Sequence, residues 1–267
     1  MGPGTTGQQS PAMKAWNRVP EITLYFWVIK ILATTVGETA ADYLIENVGL
    51  GITKTMWLMV GVLFVALVVQ FSRRRYVPGP YWVAVVLISI VGTLITDNLT
   101  DNVGVSLWTS TIGFSIALIA TFIGWHAVEG TLSIHTIYTT RRESFYWLAV
   151  LFTFALGTAG GDLVAEDGGL GYWKSALLFG GLIGLVYLAH RVLGLGAIAA
   201  FWIAYVLTRP LGASIGDFLS QPTADGGLGL GTTVTSLLFL VTILALVVYL
   251  TVSKVDRTEN RTATVGS

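Results

Sequence analysis

The chain has 267 residues, 54% hydrophobic and 11% charged, and its 15 basic and 15 acidic side chains balance to a net charge of zero. Soluble domains carry about 25% charged residues, so this composition, with a mean hydropathy of +0.72, belongs to the membrane class and its partner is the lipid bilayer. The neutral balance gives no reason to expect nucleic acid, and the lack of cysteine excludes disulfides, thiolate chemistry and cysteine-ligated metal.

Met1 to Pro11 is polar and Gly-rich, with no short apolar stretch ending in a cleavage site, so residues 1–20 are expected to form a disordered cytoplasmic tail and not a signal peptide. A first half follows at 21–127, with apolar stretches at 22–45, 52–71, 80–100 and 105–126. A cytoplasmic linker at 128–144 leads to a second half at 145–253, with stretches at 145–165, 172–190, 197–219 and 230–252, and a tail at 254–267. Each stretch approaches the roughly 20 residues that cross the hydrocarbon as a helix. Glycine-rich turns join them in pairs, as in Val48-Gly49-Leu50-Gly51 and Gly168-Gly169-Leu170-Gly171.

One spacing recurs in every pair: Trp27, Gly37 and Asp42; Trp82, Gly92 and Asp97; Trp147, Gly157 and Asp162; Trp202, Gly212 and Asp217. Four copies of Trp-x9-Gly-x4-Asp in perfect register describe four parallel two-helix repeats about an axis near the membrane normal, unlike inverted-repeat transporters. The Trp spacings of 55, 65 and 55 residues group the copies into two halves. The expected fold is therefore all-α and polytopic: eight transmembrane helices, with an inner four-helix set surrounded by outer helices. Lys14, Arg18, Arg73, Arg74, Arg75, Arg141, Arg142, Arg191, Lys254, Arg257 and Arg261 fall at one face, which makes both termini cytoplasmic. Glu46, Asp101, Glu166, Asp167 and Asp225 collect at the other.

This pattern, with the segment Ala33-Thr34-Thr35-Val36-Gly37-Glu38-Thr39-Ala40-Ala41-Asp42-Tyr43-Leu44 as its clearest copy, resembles a family of bacterial membrane proteins defined by a tandem repeat of unknown function. The resemblance covers about residues 24–252 and implies a bacterial inner-membrane protein of eight helices. It implies no activity.

Residues four apart share a helix face, and steps of four give the first helix of each pair a polar stripe. The first copy reads Lys30, Thr34, Glu38, Asp42 and Glu46, while later copies contribute Thr93, Asp97, Asp101, Thr158, Asp162, Glu166, Arg209 and Asp217. Beside it, Gly37, Gly92, Gly157 and Gly212 begin small-xxx-small pairs suited to close helix packing in lipid. The ruler aspartates either cap the loops after their helices or form a ring of carboxylates, with Glu46, Asp101 and Glu166 as an upper tier. Such a ring, through Asp42, Asp97, Asp162 and Asp217, suits a hard cation such as Mn2+ or Mg2+. Glu38 and Arg209 lie deeper, where a charge costs about 2.5–3.5 kcal/mol. Either they pair, with Lys30 as the alternative partner or else snorkelling to the cytoplasm, or Glu38 is a coupling carboxylate. An anionic substrate would instead take Arg209 and Lys30 as ligands. Pro210 should kink its helix. The repeat tryptophans, with Tyr25, Tyr81 and Tyr146, are expected to form an aromatic belt at the cytoplasmic interface.

His126, His135 and His190 lack metal-ligand spacing, and Gly194-x-Gly196-x-x-Ala199 follows no strand, so neither a histidine metal site nor dinucleotide binding is expected. No cofactor and no enzymatic activity are expected. A homo-oligomer is compatible with the pattern. The leading expectation is a small-cation transporter with an outer acidic mouth; the alternative is a non-transporting membrane scaffold or assembly protein.

Overall fold

The computed structural model describes residues 17–257, apart from the side chain of Glu46. Met1 to Pro11, Lys14 and Arg261 lie outside the described residues. Eight long helices make up the fold: α1 (Leu24–Glu46), α2 (Ile52–Phe71), α3 (Pro78–Asp97), α4 (Leu107–Glu129), α5 (Thr140–Asp162), α6 (Tyr172–Val192), α7 (Ala197–Ser220) and α8 (Thr232–Ser253). At 1.5 Å per residue the 23 residues of α1 reach about 34 Å, enough to cross a bilayer. Helices α2 to α8 are each long and apolar enough to span. In α1, Lys30 and Glu38 lower the hydropathy, but both side chains are buried inside the protein. The chain is a multi-pass membrane protein.

The odd-numbered helices run in one direction and close into a ring, α1 against α3, α3 against α5, α5 against α7 and α7 back against α1. More than half of each span in α3, α5 and α7 is buried, against less than a quarter in each even-numbered helix. The repeat glycines make this closeness attainable. A Cβ at Gly37 would fall 2.6 Å from Ser89 Cβ, at Gly92 2.8 Å from Phe154 Cβ, at Gly157 2.5 Å from Arg209 Cβ, and at Gly212 2.6 Å from Thr34 Cβ. Ser89, Phe154, Arg209 and Thr34 all stand seven residues after their own repeat Trp. Each glycine is thus a socket for the same position of the next repeat, and the fourth repeat closes onto the first.

The two helices of one sequence repeat are not the two that pack. Helix α2 leaves α1 and lies on α3, α4 lies on α5, α6 on α7, and α8 returns to α1. The packing unit is displaced by one helix from the sequence unit, so the halves at 21–127 and 145–253 interlock and are not separate bodies. Connection length does not decide this: Asn47–Gly51, between α1 and α2, is shorter than Ser72–Val77, between α2 and α3, yet α2 packs on α3.

One expectation is corrected here. The repeat tryptophans form no cytoplasmic belt: Trp82, Trp147 and Trp202 are buried, and Trp27 is half-buried against Phe26 and Phe201. Apolar area outweighs the single indole N–H, and a ring interior offers more burial than an interface. Among the described residues the exposed tryptophans are instead Trp57, Trp108 and Trp173, near the acidic-side starts of α2, α4 and α6. At the ends of the described chain Asn17, Val19 and Asp256 are buried against the ring. Asn17 accepts at Oδ1 from the Ile137 N–H (3.1 Å), and its carbonyl accepts from the Tyr76 N–H (2.9 Å).

Candidate functional site

Because α1, α3, α5 and α7 are parallel, their ruler aspartates arrive at the same end of the ring. There a cavity of about 250 Å3 is lined by Asp42, Asp97, Asp162 and Asp217, with Asp101 and Glu166 beside them and Glu38 one turn deeper than Asp42. Thr100 and Gln221 add uncharged polar groups. Helices α3 and α5 continue past their aspartates as π-helical turns, Asn98–Asn102 and Leu163–Asp167. Asp97 and Asp162 precede those turns without capping them through their side chains. These turns end their helices and carry Asp101 and Glu166 beside the aspartates. Like charges this close repel in a partly desolvated site, and a cation is the natural relief.

The vestibule ends at Arg209, which is fully buried. Its Nη2 donates to Glu38 Oε2 (2.6 Å) and to Thr93 Oγ1, and its Nη1 to the Thr34 carbonyl (3.5 Å). Arg209 starts on α7 and reaches Thr93 on α3, so its side chain crosses the ring diagonally. Pro210 follows inside α7 and packs on α5, where a Cβ at Gly161 would sit 3.2 Å from Pro210 Cβ.

Lys30 forms the next layer. It is 1% exposed, and its Nζ stands 3.8 Å from the ring centre of Phe154 on α5 and 4.2 Å from that of Tyr205 on α7. The expected snorkelling and carboxylate pairing are both corrected: among the described residues Nζ finds no hydrogen-bond partner and stands over the two aromatic faces. Aromatic quadrupoles stabilise a desolvated cation by about 2 kcal/mol, so a lysine enclosed this deeply need not unwind toward water.

Beyond Lys30 the ring is filled by Phe26, Tyr81, Trp82, Tyr146, Phe201, Trp202 and Tyr205, in edge and tilted contacts. The Tyr81 and Tyr146 hydroxyls share a 2.5 Å hydrogen bond. A buried carboxylate, Glu143, then accepts from Arg18 Nη1 (2.6 Å), Gln70 Nε2 (3.0 Å) and Trp147 Nε1 (3.3 Å), tying the N-terminal segment to α2 and α5. Tyr76 donates to Asp256 Oδ2 (2.5 Å), and the Asp256 carbonyl accepts from the Glu21 N–H (3.1 Å). Burial drives the Asp256 carboxyl above its usual range, and drives the Tyr76 phenol higher still, with help from the neighbouring carboxylate.

Of the residues singled out by sequence, the structure gathers Glu38, Asp42, Asp97, Asp101, Asp162, Glu166 and Asp217 around one cavity. The side chain of Glu46 lies outside the description. Thr34, Thr93 and Thr158 do not line the cavity: they donate within the core to the carbonyls of Ile31, Ser89 and Phe154. Among the described residues no three His, Asp or Glu side chains are arranged to hold a metal ion. Sequence reasoning missed Glu143, hidden in the surface-like run Arg141-Arg142-Glu143-Ser144, and Gln70, the one polar residue in the last turns of an aliphatic helix. That isolated glutamine was the available signal.

No curated protein and no solved structure matches the chain. The family model described as Repeat of Unknown Function (DUF347) matches it four times, at residues 25–76, 80–131, 145–194 and 200–256. Those four matches coincide with the four copies of the Trp-Gly-Asp spacing that build the ring, and the chain belongs to that repeat family.

Proposed function

We propose that this protein transports a small cation across the bacterial inner membrane, with its basic end and both termini in the cytoplasm. The single observation that carries the reading is the acidic vestibule, open at one end and floored by the Arg209–Glu38 pair. The basic end, holding Arg73, Arg74, Arg75, Arg141, Arg142 and Arg191, takes the cytoplasmic side by the positive-inside rule. The acidic vestibule then faces outward. An entering cation collects among the four aspartates and reaches Glu38, where it competes with the Arg209 guanidinium. A fixed guanidinium on the axis is hostile to an open cation pore, so the reading is a carrier that exchanges partners at Glu38. The carboxylates surround a cavity wide enough for water, which favours an ion entering with its hydration shell, as Mg2+ does readily.

Flux of Mn2+, Mg2+ or protons into proteoliposomes tests this. The wild-type protein should carry at least one of them, and changing Glu38 and the four ruler aspartates to their amides together should abolish that flux. Flux equal to protein-free vesicles for all three ions, or flux unaltered by the fivefold change, overturns the reading. Variants Arg209→Ala and Glu38→Gln that lower protein abundance without touching any gradient would support the scaffold instead.

A further inference from the structure

Two long cationic side chains cross the ring axis in successive layers, one along each diagonal. Arg209 runs from α7 to Thr93 on α3, and Lys30 runs from α1 to Phe154 on α5. These diagonal helix pairs do not pack directly to any comparable extent, so the side chains themselves occupy the axis. Arg209 has a carboxylate. Lys30 has none: its Nζ is enclosed by two aromatic faces and donates no hydrogen bond.

We propose that Lys30 is the proton-binding site of a cation–proton exchange, its ammonium and the transported cation occupying the ring axis in turn. This rests on the transport reading above and adds the counter-ion and its site. The core layer holds Glu38 with one negative charge against Arg209 and Lys30, each positive, and Lys30 lies close enough to Arg209 to repel it. A cation arriving at Glu38 would be a third positive charge facing one carboxylate. Arg209 cannot give up its proton, but Lys30 can. When the cation binds, the ammonium becomes a neutral amine and one proton passes to the vestibule water, keeping the net charge of the layer constant for a monovalent ion and limiting its rise for a divalent one. When the cation leaves, the amine takes a proton from the side then open. A neutral amine costs less to enclose than an unpaired ammonium, and the ring faces offset part of the cost of the ammonium, so both forms fit the same place. The other titratable and charged groups that face this layer are Glu38 on α1 itself, Tyr81 on α3, Tyr146 on α5 and Tyr205 and Arg209 on α7, with the ruler aspartates above.

Two readouts test the exchange on the full-length protein. In detergent, titration of Mn2+ or Mg2+ in weakly buffered solution should release protons, and Lys30→Met should lower that release by about one proton per cation bound. The comparison with Lys30→Met separates the lysine from the vestibule carboxylates, and a thermal melt confirms that the variant is folded. In proteoliposomes carrying a pH dye, wild-type cation flux should drive opposing proton flux. Lys30→Met should carry the cation without it, and Lys30→Arg, unable to discharge, should carry neither. Equal proton release by wild type and Lys30→Met, or undiminished proton counter-flux in Lys30→Met, overturns the exchange while leaving transport intact. Neither binding nor flux of any tested cation overturns transport and exchange together.

Discussion

The two ends of the inner ring are made by the same four helices from the same repeat, yet one is an open acidic vestibule and the other a sealed aromatic plug. Distance from the repeat glycine separates them. Five residues after it stands aspartate in all four copies, and ten residues before it stands tryptophan in all four. The symmetric positions therefore build scaffold: sockets, plug and carboxylate ring. Between the tryptophan and the aspartate of each copy, charge that breaks the symmetry falls at the positions three, seven and eleven residues after the tryptophan. These read Lys30, Val85, Val150 and Tyr205; Thr34, Ser89, Phe154 and Arg209; and Glu38, Thr93, Thr158 and Ala213. The lesson is that fourfold repetition shapes the ring and its acidic vestibule, while departures from symmetry place the buried charges beneath it.

The sockets that hold both ends together offer the largest effect. Gly157→Leu pushes a branched side chain into Arg209 and Pro210, against atoms already 2.5–3.0 Å from an added Cβ. Overpacking of this kind costs about 1–3 kcal/mol or more, here with a buried ion pair displaced as well. Gly157→Leu should fail to accumulate as monodisperse protein in size-exclusion chromatography. Gly61→Leu on α2, where an added Cβ meets nothing within 4 Å, should behave as wild type. Equal yields from the two would mean the ring is not held by its glycines.

Next in size is the boundary between the two ends. Arg209→Met leaves Glu38 buried without its partner, a loss of about 3–5 kcal/mol, measurable as lowered thermal stability in detergent. The double change Glu38→Met/Arg209→Met removes both charges and should recover most of it. A double variant as unstable as the single one would show that the guanidinium supports the ring through Thr93 and Thr34 and not through the carboxylate.

The open end predicts the reverse pattern, little stability at stake and much function. Changing Asp42, Asp97, Asp162 and Asp217 together to asparagine keeps volume and removes like-charge repulsion, so the melting temperature should hold or rise. Cation flux should fall about tenfold or more, since a cleft of one sign concentrates its counter-ion by that order. A melting temperature that drops as far as that of Arg209→Met would return the aspartates to a structural role.

These contrasts also mark what the sequence could show. The eight helices, their parallel order and the shared depth of the four aspartates follow from hydropathy and spacing alone, because lipid leaves few alternatives to a spanning helix. Which helices touch does not follow: α2 is tethered to α1 by five residues and to α3 by six, so neither hydropathy nor loop length distinguishes its two neighbours, yet it packs on α3. The tryptophans misled for a related reason. An indole at a helix end fits an interface and a plug equally well, and only the direction its face takes around the ring distinguishes them. Lys30 was legible as a deep charge, but its aromatic enclosure depends on Phe154 and Tyr205, which lie 124 and 175 residues away.

The smallest predicted effect lies at the far side of the plug, where Asp256 closes the C-terminal segment onto Tyr76 and Glu21. Burial holds its carboxyl above the usual carboxylate range despite the Tyr76 hydrogen bond. The folded protein therefore binds this proton more tightly than the unfolded chain does, and stability declines as pH rises from the unfolded value through the folded one. Asp256→Asn keeps an oxygen for the Tyr76 hydroxyl and carries no charge to bury. At pH 7 it should melt slightly higher than wild type, by about 2 °C for each kcal/mol recovered. That advantage should vanish toward pH 4, where the native aspartate is itself neutral. Tyr76→Phe should do the opposite at pH 7, taking away the largest of the interactions that offset burial of the carboxylate, ahead of its own backbone N–H and the nearby Arg257 charge. If Asp256→Asn instead melts lower at pH 7 and equal at pH 4, the carboxylate is held by charge, and the clamp at the basic end is electrostatic where the geometry makes it a matter of packing and hydrogen bonds.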